Sequence, residues 1–221
     1  MPIELIDLGG SRSVAQDDPL CTLAGPGADV TMVIGGDAPG RALALGGVDR
    51  TFKRAIVVEL GAECLGFHTG ERVGAETTVL GFARFRLGTL PASSLVEIVR
   101  QPGTTAASLA AAKSVFNAAG CEVAVCSDVP GRIIDSLLRP YLNSALRGVD
   151  EGLAAPEDMD RILRLGLGYP KGPLQLLEES GIEAHYALST ELHAALGTPE
   201  FVPARRARVQ AMRKAAGLSD L

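Results

Sequence analysis

The chain has 221 residues, 47% of them hydrophobic and 21% charged, with 21 Lys and Arg against 26 Asp and Glu for a formal net charge of −5. That composition excludes a disordered, collagen-like or mucin-like chain and leaves enough apolar residues for a core in one large domain or two modest ones. Mild acidity without a dominant basic cluster excludes a general nucleic-acid binder, which must neutralise phosphates.

No apolar run approaches the roughly 20 residues that span a bilayer, and the start MPIELIDLGG has no basic stretch ahead of an apolar one. A cytoplasmic protein without membrane contact is expected. Cys21, Cys64, Cys121 and Cys126 form no CxxC pair and have no His at ligand spacing, so four buried, reduced thiols and no metal are expected.

In chain order, short apolar runs bounded by Gly, Pro or Asp fall at Asp29 to Ile34, Ala55 to Leu60, Thr77 to Phe82, Leu95 to Val99 and Glu122 to Cys126. Runs of this kind predict strands covered on both faces of a mostly parallel sheet. Between the last two, Thr104 to Ala119 carries Leu109, Ala112, Phe116 and Ala119 at helical spacing and stops at Gly120, which predicts a crossover helix and a βαβ unit. From Gly131 the period becomes helical. Ile134, Leu138, Tyr141 or Leu142, Ala145 and Val149 predict a helix to Glu151 that Pro140 bends without ending. Further helices are predicted from Pro156, with Met159, Ile162 and Leu163 as the buried stripe, from Gly172-Pro173, over Ile182 to Leu196, and from Pro203 to Ala216. The last carries Arg205, Arg206, Arg208, Arg213 and Lys214, which read as a solvated face or as a contact for an acidic coenzyme tail. The expected fold class is α/β, a shortened Rossmann-like, mostly parallel sheet over residues 1–129, followed by an all-α helical domain over 130–221.

A dinucleotide turn needs glycines that let the backbone approach a pyrophosphate. Gly25-Pro26-Gly27-Ala28-Asp29 precedes a strand, whereas Gly35-Gly36-Asp37-Ala38-Pro39-Gly40 follows one. Neither is GxGxxG, and Arg41-Ala42 stands where a phosphate loop has Lys-Ser/Thr. Gly35 and Gly36 are the candidate cofactor contacts of that loop.

Asp128-Val129-Pro130-Gly131, Arg139-Pro140-Tyr141-Leu142-Asn143, Asp150-Glu151-Gly152 and Leu165-Gly166-Leu167-Gly168-Tyr169-Pro170-Lys171-Gly172-Pro173 lie within a longer stretch beginning at Leu95. This stretch closely resembles the 3-hydroxyacyl-CoA dehydrogenase family, from its last sheet strands through its helical C-terminal domain. The resemblance implies an NAD-binding Rossmann-type domain and a helical domain that dimerises and closes over the acyl-CoA. It also implies reversible hydride transfer between C3 of the acyl-CoA and nicotinamide. The family's chemistry uses a His as acid/base, a Glu that orients it, and an Asn and a Ser near the substrate oxygen.

Glu97 stands at the family's Glu, and Ala83 or Phe85 at its His, where Arg84 or Arg86 could pair with Glu97 instead. Asp135 replaces the family's Asn, and Gly61-Ala62-Glu63-Cys64 replaces the Asn-Thr-Ser loop near the nicotinamide, making Gly61 and Cys64 further cofactor candidates. His68, in the Gly-rich stretch after the strand ending at Leu60, is the best substitute acid/base, while His185 and His193 read as surface or packing residues. The catalytic candidates are therefore Glu97, Asp135 and His68. The span before Leu95 is short by about two βαβ units of ~30 residues each, so the chain resembles the degenerate second region of tandem family members. Two functions follow. One is an NAD-dependent 3-hydroxyacyl-CoA dehydrogenase of fatty-acid metabolism, working alone or with a partner subunit that completes it. The other is a non-catalytic acyl-CoA-binding or dimerisation subunit, a homodimer through its helical domain, that has lost the NAD site and the catalytic His.

Overall fold

A computed structural model describes residues 2–71, 75–86 and 91–218. The chain divides into two compact units, with the described residues up to Ile133 in the first and those from Ile134 onward in the second.

The first unit is a six-stranded sheet whose spatial order is its chain order: β1 (Glu4–Asp7), β2 (Val30–Ile34), β3 (Ala55–Glu59), β4 (Val79–Arg84), β5 (Leu95–Arg100) and β6 (Glu122–Ser127). All neighbours are parallel except β4 and β5. Every residue of β2 and β3 is buried, which is why these segments, apart from Thr31 and Glu59, are apolar rather than alternating. Side chains nevertheless divide with a period of two. Met32, Ile34, Val57, Leu80, Phe82 and Ile98 pack against Ala111, Ala112, Val115 and Phe116 of α4 (Ala106–Ala118), with the Phe82 and Phe116 rings 5.2 Å apart. Val33, Ile56, Val58, Val79 and Val99 face the other way, against Leu45 of α2 (Ala38–Gly46) and Leu65 of α3 (Leu65–Thr69). As expected, β5, α4 and β6 form a parallel βαβ unit.

The first strand was not among the sequence expectations. β1 is short, its Glu4 and Asp7 are exposed, and its Leu5 and Ile6 are only half-buried at the sheet edge. The chain goes from β1 to its direct neighbour β2 with a single four-residue helix, α1 (Pro19–Thr22), between them. A doubly wound sheet of order 3-2-1-4-5-6 instead visits two strands on the far side of its first strand, and the reversal of order opens the dinucleotide crevice. No such reversal occurs among the described strands.

The second unit contains α5 (Ile134–Asp150), α6 (Pro156–Leu167), α7 (Pro173–Ser180), α8 (Ile182–Leu196), a 3₁₀ turn at Pro199–Phe201 and α9 (Arg205–Ala215). Pro140 lies inside α5, which continues past it to Asp150. Leu142, Leu146, Leu177, Ala204 and Ala207 form the core. The expected buried stripe of α6 is not found: no residue of α6 is fully buried, Met159 and Leu163 are half-buried, and Ile162 is 62% exposed. The cysteines are free, as expected, but only Cys121 is fully buried. Among the described residues, no helix is long and apolar enough to cross a membrane.

Candidate functional site

Glu97 sits in the middle of β5, 3% exposed, directly opposite Ala83 of β4 in the antiparallel register. Ala83, rather than Phe85, is thus the residue facing the carboxylate, and it carries no proton-transfer group. The cation at Glu97 is Arg132, with Nε 3.6 Å from Oε2, while the Ile133 amide donates to Oε1 at 2.8 Å. Gly131 and Arg132 take the left-handed region at φ 74° and 51°, and Arg132 also donates to the Gly61 carbonyl. This corrects the first of the two expected partners, Arg84 or Arg86. The Arg84 guanidinium turns to Asp18 and to the carbonyls of Ser13 and Ser93.

His68 lies on α3 with its side chain fully sealed from solvent. Its Nε2 is 3.1 Å from Oε1 of Glu63, whose same oxygen accepts from Arg41 at 2.7 Å. Burial alone would raise the Glu63 pKa, but the bonds from His68 and Arg41 hold it down at about 2. An ionised Glu63 makes His68 Nε2 the donor. The chain Arg41–Glu63–His68 ties α2 to α3, and it presents no imidazole nitrogen to solvent.

Asp135, in the first turn of α5, is 7% exposed and accepts from Arg139 Nε at 2.8 Å. Four residues beyond Arg139 on the same face is Asn143, fully buried. Its Oδ1 lies 2.9 Å from Nε2 of His185, while Arg139 lies 3.4 Å from His185 Nδ1. His185 is 0% exposed, and burial followed by the Arg139 charge pushes its pKa down to about 3. It is the packing residue expected, but as the hub of a polar network that was not anticipated. The spacing Asp135, Arg139, Asn143, one face of one helix, was the available signal.

The cofactor candidates have backbone amides that the chain itself uses. Gly35 N donates to Glu59 Oε2 at 2.7 Å, Gly36 N to the Gly9 carbonyl at 2.6 Å, and Gly61 N to Glu63 Oε2 at 2.9 Å. Cys64 precedes α3 as its N-cap without a side-chain cap bond, and burial, then the nearby Asp128 charge, raises its thiol pKa. The next two amides, of Leu65 and Gly66, donate to the Asp128 carboxylate at 2.6 and 2.7 Å.

Residues 131–218 match the family model of the 3-hydroxyacyl-CoA dehydrogenase C-terminal domain. Over these residues the chain carries a 3-hydroxyacyl-CoA dehydrogenase C-terminal domain. It is 37% identical over 94 residues to the human mitochondrial hydroxyacyl-coenzyme A dehydrogenase, covering 42% of this chain and 30% of that protein. To a probable 3-hydroxybutyryl-CoA dehydrogenase of Deinococcus radiodurans it is 33% identical over 114 residues, covering 52% of this chain and 41% of that one. The sequence match thus spans less than half the length of these curated relatives. The fold extends further: the crystal structure of (S)-3-hydroxybutyryl-CoA dehydrogenase from Ralstonia eutropha superposes with a TM-score of 0.72 at 24% identity, covering 86% of this chain and 66% of that one.

The C-terminal-domain match includes the Tyr169-Pro170-Lys171-Gly172-Pro173 motif, and the structure gives its Gly172 a reason. Asp160 of α6 caps α7 by accepting from the amides of Leu174 and Gln175, each at 2.9 Å, and a Cβ at Gly172 would lie 2.2 Å from Asp160 Cγ. In the α/β unit, the NAD that the resemblance implies would require free amides for a pyrophosphate. The amides of Gly35, Gly36, Gly61, Leu65 and Gly66 are engaged internally, four of the five on carboxylates that would repel a phosphate. The residues present therefore do not fit NAD at these turns.

Proposed function

We propose that the chain serves 3-hydroxyacyl-CoA chemistry in fatty-acid metabolism as a subunit that binds the acyl-CoA thioester and pairs with a second copy through its helical unit. Reversible hydride transfer at C3 then depends on a nicotinamide site and a proton carrier from another polypeptide. The observation that carries this reading is the pairing of Glu97 with Ala83 across the strands, together with the engagement of the Glu97 carboxylate by Arg132 and the Ile133 amide. A general acid/base contributes about 10²–10⁴-fold to such a reaction, and no imidazole stands opposite Glu97. The family match over the helical unit and the basic α9 support a thioester carrying an anionic coenzyme tail. Ile162, Leu165 and Leu167 on α6, 62, 80 and 61% exposed, support a self-pairing apolar surface.

The test is made on the full chain. Acetoacetyl-CoA is expected to bind by calorimetry without oxidising NADH at 340 nm, and sedimentation is expected to give a dimer that Leu165→Glu weakens. NADH oxidation proportional to the concentration of this chain alone would overturn the reading.

A further inference from the structure

Glu59, the last residue of β3, is a charged group in an otherwise apolar strand and is 3% exposed. No Lys, Arg or His among the described residues pairs with it. Its partners are all backbone amides: Oε1 accepts from Arg12 N at 3.0 Å and Ser13 N at 2.8 Å, and Oε2 accepts from Gly35 N at 2.7 Å. These donors come from two loops, one following β1 and the other following β2, at the carboxyl ends of adjacent parallel strands. Converging N–H groups in that position are what α/β sheets offer to anionic ligands.

The cradle is also closed sterically. Gly35 has φ 72°, and a Cβ added to it would lie 2.3 Å from the Gly9 carbonyl oxygen, which in turn accepts the Gly36 amide at 2.6 Å. Two backbones therefore meet where a nucleotide phosphate would need to enter. A buried carboxylate is tolerable without a cation only because three charge-assisted bonds replace its hydration.

We propose that these loops form an anion cradle whose ligand is the chain's own Glu59 carboxylate, which keeps the cradle closed to nucleotide phosphates. The charge, the planar pair of oxygens and the three donors are matched, so removing the CH2–COO⁻ group leaves a vacancy with the shape of acetate. The inference is independent of whether the chain takes part in hydride transfer, because its readouts are anion binding and amide environment.

The experiment uses the full chain and Glu59→Ala, with sodium acetate set against sodium chloride at equal ionic strength. The variant is expected to melt below wild type. Saturating acetate should raise its Tm by about 2–4 °C and shift the Arg12, Ser13 and Gly35 amide resonances, leaving wild type unmoved. A variant that folds only with acetate present is the same result in stronger form. Equal responses of variant and wild type to acetate would overturn the proposal. So would a variant that fails to fold in either salt, since acetate would then not replace the carboxylate. On wild type alone, millimolar ADP should leave the three amides unmoved, and a saturable ADP shift at them would refute the closed cradle.

Discussion

Lowering the pH from 7 to 5 should destabilise the helical unit through one residue. Native His185 is neutral there because burial and Arg139 hold its pKa near 3, whereas in the unfolded chain it titrates near 6.5. The folded value is depressed, so the unfolded state takes up the proton first. The stabilisation is complete above about pH 6.5 and is lost progressively as the pH falls toward 3. At pH 5 the unfolded imidazole is almost fully protonated and the native one is not, which costs about 2 kcal/mol relative to pH 7. That magnitude hardly depends on the folded value so long as it stays below about 4. The assay is built into the sequence: the chain has no Trp, and its 3 tyrosines, Tyr141, Tyr169 and Tyr186, all lie in the helical unit. Urea unfolding followed by tyrosine fluorescence at pH 7 and pH 5 should show the loss in wild type. In His185→Gln, already weaker at pH 7, the His185 contribution to that loss should be absent. Parallel pH dependences in the two proteins would refute a neutral, sealed His185. The Glu63 carboxylate, also depressed, acts in a separate window, losing its contribution as the pH falls from about 4.5 toward 2.

Two further outcomes follow from packing. Gly172→Ala should cost about 1–3 kcal/mol by driving a methyl into Asp160, and adding Asp160→Ala should give a total smaller than the sum of the single losses, read by the same fluorescence. Arg132→Met, which strips Glu97 of this cation inside the sheet, should cost about 3–5 kcal/mol by circular dichroism, and Glu97→Gln added to it should return part of that loss.

Of the five strands anticipated from apolar runs, β2, β3, β4 and β5 are largely buried, which leaves a signal that survives without tertiary information, while the edge strand β6 is half-buried yet keeps the apolar run Val123 to Cys126. β1 lacked it, since an edge strand with exposed Glu4 and Asp7 reads as polar. The span Ile182–Leu196 was legible as a helix, yet its neighbour α6 was assigned a buried face that Ile162 does not have. Periodicity locates an apolar stripe but not the surface that covers it. In α5 the reverse occurred: Asp135, Arg139 and Asn143 go inside because His185, 42 residues after Asn143, completes their bonds. The partner of Glu97 was equally hidden, for Arg132 reaches it only through a backbone at φ 51° that no propensity favours for arginine. Glu59 carried a usable signal, because a lone charge inside AIVVEL must find partners if the strand is central.

The two units stand in different relations to the family. In the helical unit a motif and its physical cause coincide, as at Gly172 and Asp160, and sequence identity is accordingly readable over this region. In the α/β unit the sheet persists while its loop amides are committed to Asp7, Glu59, Glu63 and Asp128. Such a division is physically reasonable. The sheet is held by strand burial, which is indifferent to what the loops bind, whereas a ligand site depends on a few donors being left free. Once a side-chain carboxylate takes those donors, the loops are stabilised by an internal bond instead of a bound phosphate. The architecture can then outlast the chemistry it is associated with. For this chain, the similarity of the α/β unit to solved structures is therefore a statement about fold alone, and the carboxylates that occupy its loop amides are the more direct guide to what those loops hold.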